Sequence, residues 1–333
     1  MCNVTKSSSL KKAMLFPISV IREGCEDDYI GYIDELGVEV VPPQYRFGTH
    51  FSEGLAAVRT EDRRTEFILL DGSVSIKGDF DGVGYFREGL CSMTPRGELL
   101  GGYINRSGAW EVKPRFALKG DFSGGLAAAS YGGTFGFLWK DGSYAVRPRF
   151  DQVRPFREGL AAVFDGQRWG FIDSKGVSVI SGDFTGLKAG PFSEGMASVK
   201  VDGCWGLLRR DGSWAIRPKF EELAKVSEGL VAGCTSKGWS YFDAAGKQAI
   251  CEWFDGCSDF VSGVAAVKKE GKWGLIDSLG RVIVKPNFND VHRCTSNLFL
   301  VTSGSRYSYM NADGRVIWTS EEYAMPQLPR YEA

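Results

Sequence analysis

Only two histidines, His50 and His292, occur in 333 residues, so general-base or zinc chemistry has few imidazoles to draw on. His50 lies in Phe47-Gly-Thr-His-Phe51 and His292 in a similar stretch between Phe288 and Cys294. A hydrolytic triad needs its base within reach of a nucleophile, and nothing in the spacing brings these two histidines to a common site; surface or packing roles are expected. The eight cysteines (Cys2, Cys25, Cys91, Cys204, Cys234, Cys251, Cys257, Cys294) contain no CxxC pair, and buried free thiols are expected. Aspartates recur at Asp34, Asp173, Asp243 and Asp277, but one carboxylate per repeat is too sparse for a six-to-eight-oxygen calcium shell; each is expected to bond its own turn. Glycine-rich stretches such as Gly101-Gly102 lack the strand–loop–helix context of a phosphate cradle. Trp169, Trp205, Trp239 and Trp273 could stack sugars or bases, but each is followed by Gly or Ser, as where backbone packs against a ring, so a core role is favoured. A basic row (Lys113, Arg147, Arg217, Lys285) and an acidic row (Glu53, Glu88, Glu158, Glu194, Glu228) read as mutual ion pairs on a solvated face. No enzyme, cofactor or metal site is expected.

The 40 Lys+Arg against 41 Asp+Glu give no global field for nucleic acid or an anionic membrane. The apolar stretch Ala13–Ile21 is broken by Pro17 and followed by Arg22-Glu23, unlike a secretory leader, and no run approaches the roughly 18 apolar residues of a membrane span. A soluble cytoplasmic protein is expected.

The elements that would position any site follow from an internal period. A turn glycine recurs at Gly37, Gly72, Gly108, Gly142, Gly176, Gly212, Gly246, Gly280 and Gly314, in steps of 34 to 36 residues. A second glycine, that of Ser-Glu-Gly-Leu-Ala-Ala-Val, recurs at 54, 89, 125, 159, 195, 229 and 263, and Asn297 holds the next slot, which argues for a left-handed backbone there. An aromatic lies eight residues after most turn glycines (Tyr45, Phe80, Phe116) and another three before the Glu-Gly glycine (Phe51, Phe86, Phe122); these are the expected core. Each unit breaks into three short strands: a (as Trp169–Asp173), b (as Val177–Ile180) and c (as Leu160–Val163), with Pro114, Pro148, Pro218 and Pro286 placing strand b at an edge.

The motif Lys272-Trp273-Gly274-Leu-Ile-Asp277, then Val-Ile-x-Pro-x-Phe and Phe-Ser-Glu-Gly-Leu-Ala-Ala-Val, resembles the bacterial WG-repeat (KWG-repeat) proteins over about residues 26 to 318. The Trp slot reads Ile30, Thr65 and Gly101 in the first three units. The expected fold is all-β: about eight three-stranded antiparallel units plus a partial ninth, forming an open, twisted solenoid-like array, since 34 residues is short for a propeller blade of about 40–45. A closed β-propeller is the alternative. Residues 1–25 would be an N-terminal cap and 319–333 a tail.

With no catalytic constellation, the expected function is a protein-binding repeat scaffold. The resemblance implies a bacterial setting in which some members look like companions of secreted toxins, hence an immunity protein that occludes a cognate toxin. The alternative is carbohydrate or cell-wall recognition through exposed indoles. Loops that break a strict repeat are the expected partner surface: residues 60–66, with Glu61, Asp62, Arg63 and Arg64; residues 94–100, with Arg96 and Glu98; and the insertion at Lys188.

Overall fold

The computed structural model describes residues 14–21, 28–117, 120–187 and 192–320. They form nine small antiparallel sheets, each built from consecutive strands. In the eighth, Gly256–Cys257, Val264–Lys269, Lys272–Asp277 and Val282–Phe288 lie side by side in that order. Strand c thus precedes strand a within a sheet, strand b is the outer edge, and a very short leading strand sits on the other side.

The sheets close into a ring, a nine-bladed β-propeller, which corrects the open array expected from the repeat length. The hydrophobic core is nine separate clusters, one between each pair of neighbouring blades. The ninth joins Phe16, Ile18 and Ile33 of blade one to Cys294, Leu298, Leu300, Tyr307 and Tyr309 of blade nine. An open array would leave those two faces in water. The turn glycines follow the same cycle: a Cβ at Gly72 would meet Val41 at 3.1 Å, one at Gly176 would meet Val146 at 3.1 Å, and one at Gly37 would meet Ile317 at the chain's far end. A 34-residue unit suffices for a blade because one residue carries the chain from one blade to the next. Strand b of blade one ends at Tyr45 and the leading strand of blade two starts at Phe47.

Strand alternation gives each blade two buried faces. Phe67 faces blade three while its neighbour Ile68 faces blade one. Aromatic pairs link the blades, edge-to-face for Tyr32 with Phe51 at 5.2 Å, Tyr103 with Phe122 at 4.9 Å and Phe137 with Phe156 at 4.7 Å, and tilted for Tyr241 with Phe260 at 4.6 Å between centroids. The Glu-Gly hairpins are two-residue turns with both central residues left-handed, as at Glu53 (φ 52) and Gly54 (φ 80), where Ser52 and Leu55 exchange both backbone hydrogen bonds at 2.8 and 3.1 Å. Asn297 departs from the expectation: it does not take positive φ, and Leu298 O there accepts from both Cys294 N (2.8 Å) and Thr295 N (3.1 Å).

The glycine after the Trp slot has a steric cause. Opposite it, strand b bulges: Trp205 pairs with Phe220 but Leu207 pairs with Ile216. The bulge lays the proline directly over the glycine, so a Cβ at Gly31, Gly102, Gly136, Gly206 or Gly274 would stand 2.6 to 2.8 Å from the nitrogen of Pro43, Pro114, Pro148, Pro218 or Pro286. In blades two and nine, where Glu66 and Ser308 hold this slot, the bulge is missing there. Glu66 pairs regularly with Lys77, and Ser308 with Thr319. At Ser240 the outer strand is reduced to isolated bridges, Trp239 with Phe254 and Phe242 with Gln248, and the hydroxyl bonds Ile250 O at 2.8 Å and Glu252 O at 2.9 Å.

Candidate partner-binding surface

The two irregular loops meet. Thr60 Oγ1 accepts from Arg64 N at 3.1 Å and closes the first loop around Arg63, which has φ 63. Arg96, from the second loop, donates to the Arg63 carbonyl at 3.4 Å and pairs with Asp79 at 2.9 Å, while Gly97 N donates to Asp81 at 2.8 Å. The remaining charges are partly engaged within the chain. Glu61 pairs with Arg46 at 2.9 Å and Asp62 with Arg64 at 2.8 Å, both at the surface. Arg63 and Glu98 are exposed and make no ion pair among the described residues, and Leu99 beside Glu98 is 90% exposed. Lys188 lies outside the described residues. Arg46 completes the rim by stacking over the Tyr29 ring at 4.4 Å, a contribution the repeat pattern did not single out.

The two charged rows do not pair with each other as the sequence suggested. Glu53, Glu88, Glu158, Glu194 and Glu228 each accept backbone N–H groups from the next blade's hairpin, for example Gly89 N at 3.0 Å and Gly195 N at 2.9 Å. Their cationic partners are Arg106 and Lys140, on the a–b turns, at 3.8 and 3.3 Å. The basic residue after proline, not the one before, bridges blades: Arg149 donates to Gly176 O at 2.7 Å. Lys113, Arg147, Arg217 and Lys285 stand exposed on the outer strands. The recurrent aspartates bond their own turns as expected, Asp173 Oδ1 accepting from Lys175 N and Val177 N, both at 2.9 Å.

The family model for the WG containing repeat matches residues 30–63, 102–135, 135–168, 169–203, 205–232, 239–273 and 273–307, more than half of the chain. The chain is a WG-repeat protein. No curated protein matches its sequence. Among solved structures, a eukaryotic initiation factor is similar in fold, with TM-score 0.70 at 11% identity over 95% of this chain and 97% of that one. BamB from Moraxella catarrhalis (TM-score 0.46, 13% identity, 92% and 98% covered) and apo AztD from Citrobacter koseri (0.46, 15%, 94% and 96%) also match. At these identities the likeness concerns the fold alone.

The slot tryptophans of this WG-repeat propeller pack between blades, Trp239 and Trp273 being half-buried, whereas Trp139, outside the slot, is 43% exposed. Trp169 and Trp205 are 7% and 8% exposed, each in a cluster between blades, so neither offers a free face to a sugar. The six described cysteines are free thiols, but only Cys91 and Cys294 are buried; Cys204 and Cys251 are exposed, against the expectation of uniform burial. Burial pushes the thiols of Cys257 and Cys294 up to about 12, which leaves them protonated and unreactive. His292 is a surface residue 3.0 Å from Asp290.

His50 is buried at 6% exposure, and desolvation of its charged form pulls its pKa down to about 4. The unfolded chain therefore takes up a proton near pH 6.5 that the folded chain refuses until about pH 4. Stability contributed by the neutral ring is complete above pH 6.5 and is lost as pH falls through that window, by up to about 3 kcal/mol. Half-buried Asp121 and Asp259, whose carboxyls burial pushes up, work in the opposite sense. The difference between wild type and His50→Gln isolates the histidine: urea midpoints at pH 7 and pH 4.5 should converge in the variant. An unchanged pH slope in His50→Gln would refute this account.

Proposed function

We propose that this propeller is a non-catalytic protein-binding scaffold, and that it acts as a cytoplasmic immunity protein occluding a cognate secreted toxin. The observation that carries this reading is the rim where Arg96 ties loops 60–66 and 94–100 together and leaves Arg63, Glu98 and Leu99 facing solvent. An exposed arginine and leucine on braced loops suit an interface anchor, because little loop freedom remains to be lost on binding. The pockets beside Trp169 and Phe254, of ≈ 220 and ≈ 260 Å³, are smaller than the roughly 300–1,000 Å³ of small-molecule sites.

The test is to identify the gene product encoded beside this chain's gene and titrate it calorimetrically; a neighbour that is not a toxin counts against the immunity role. Arg63→Glu combined with Leu99→Asp should weaken binding by about 100-fold or more, while the melting temperature stays within about 2 °C because both side chains are solvated. Full-strength binding by the double variant moves the interface elsewhere. No binding by wild type removes the immunity role.

A further inference from the structure

Among the described residues, two hairpin tips on the face opposite the irregular loops have N–H groups without a partner, Glu53-Gly54 of blade two and Glu158-Gly159 of blade five. Only at the second is the neighbouring cation unengaged, since Arg106 is already held by Glu53. Blade by blade, the Glu of a Ser-Glu-Gly hairpin reaches forward and its carboxylate receives the backbone N–H groups at the tip of the next hairpin. Glu194 accepts from Glu228 N at 2.6 Å and Gly229 N at 2.9 Å; Glu228 accepts from Ser262 N and, at 2.8 Å, Gly263 N; Glu88 accepts from Gly125 N at 3.0 Å. Blade four breaks the chain of carboxylates because its hairpin reads Ser123-Gly124-Gly125. The tip of blade five, Glu158-Gly159, folds into the same left-handed turn (φ 49 and 78), yet its two N–H groups have no partner among the described residues. Glu158's own carboxylate is turned to Gly195 N.

A cation stands beside the opening. In blades three and four, Arg106 and Lys140 donate to the backbone carbonyls of Glu53 and Glu88 in the preceding hairpins, at 2.7 and 2.8 Å. Arg210 of blade six occupies the same relation to blade five: its Nη2 lies 3.7 Å from where a Cβ of Gly159 would be, and it makes no ion pair among the described residues. Two convergent N–H groups and a guanidinium form an anion nest. Five positions of the same chain show what fits it, a side-chain carboxylate.

We propose that the blade-five hairpin binds a carboxylate side chain, Glu or Asp, from a partner protein, which takes the place of the glutamate that blade four lacks. The site lies on the opposite face from Arg63 and Arg96 and stands independently of the immunity reading. Gly124→Glu fills it from within. A Cβ at Gly124 meets Phe156 Cβ at 3.4 Å, an ordinary contact, and Gly124 has φ 62, close to the φ of 49 to 55 that glutamate adopts in the equivalent hairpins.

The experiment is an amide NMR titration of the full chain with Ac-Gly-Glu-Gly-amide, using the Gln peptide as control. The Gly159 amide should shift saturably with the Glu peptide and not with the Gln peptide. Gly124→Glu should abolish the response, Gly124→Ala should keep it, and Arg210→Gln should weaken it about 3- to 10-fold. Equal responses at Gly195 and Gly159, or an undiminished Gly159 response in Gly124→Glu, would overturn the proposal.

Discussion

Gly206→Ala should destabilise the protein by about 3 kcal/mol, whereas Gly170→Ala, the same change at the same slot one blade earlier, should cost less than about 1 kcal/mol. A methyl at Gly206 would stand 2.7 Å from both Ile216 O and Pro218 N, and 2.8 Å from the Trp214 ring. Neither backbone atom can retreat without undoing the bulge that lets Trp205 pair with Phe220. At Gly170 the residues opposite are Ser181 and Gly182 instead of Arg-Pro, and the nearest atom within reach is Ile180 O at 3.2 Å. Reduced backbone entropy in the unfolded chain partly offsets even that. Chemical denaturation of the two variants in parallel decides the matter; equal losses would mean that the glycine is not there for the bulge.

Most of the blade was legible because each slot recurs in one environment. The turn glycines, the Phe51-type aromatics and the aspartates that bond their own turns all follow from spacing and turn chemistry. Ring closure was not, because length per unit is a poor measure of a blade whose leading strand is two residues long. Nor does a periodic pattern show where its first strand begins. Phe16–Ile21 departs from Leu-Ala-Ala-Val, yet it pairs with Asp28–Ile33 in the register that Ala56–Arg59 takes with Thr65–Ile68. The carboxylate relay was hidden for a different reason. Glu and Lys/Arg at fixed offsets suggest ion pairs, and nothing in one repeat reveals that the carboxylate faces the backbone of the next. Only Gly124, the one interruption between blades four and five, becomes informative once the relay is known. The contact of loops 60–66 and 94–100 was foreseeable in kind, since equivalent loops of adjacent units are neighbours, but Arg46, in the one-residue link between blades, and Tyr29, in the strand Asp28–Ile33, hold positions the repeat pattern did not single out.

Phe16→Ala should cost about 3–5 kcal/mol, as large as any single core truncation in the molecule, although alanine is what five other blades carry at that slot. The slot is Ala56, Ala127, Ala161, Ala197 and Ala265 elsewhere, each paired across its hairpin to an aliphatic residue, as Phe16 is to Ile33. In those blades the neighbouring aromatic comes from five residues earlier, as Phe51 and Phe156 do, but the residue five before Phe16 is Lys11. Phe16 supplies the missing ring from the alanine position: it is 2% exposed and its centroid lies 5.8 Å from that of Tyr309. The closure depends on it to an unusual degree because, among the described residues, no sheet combines strands from the two ends of the chain. Among the described residues, blades one and nine are joined through the Phe16 cluster and through the hydrogen bonds of Tyr309 Oη to Pro17 O and Ser19 N to Tyr307 Oη, both at 2.8 Å. Loss of the ring should therefore loosen the closure before the blades themselves, exposing two apolar faces that favour self-association. Melting followed by light scattering should show association beginning below the main transition in Phe16→Ala and not in wild type. A variant that melts as wild type does, with a loss under about 1 kcal/mol, would mean that the ring closes without it.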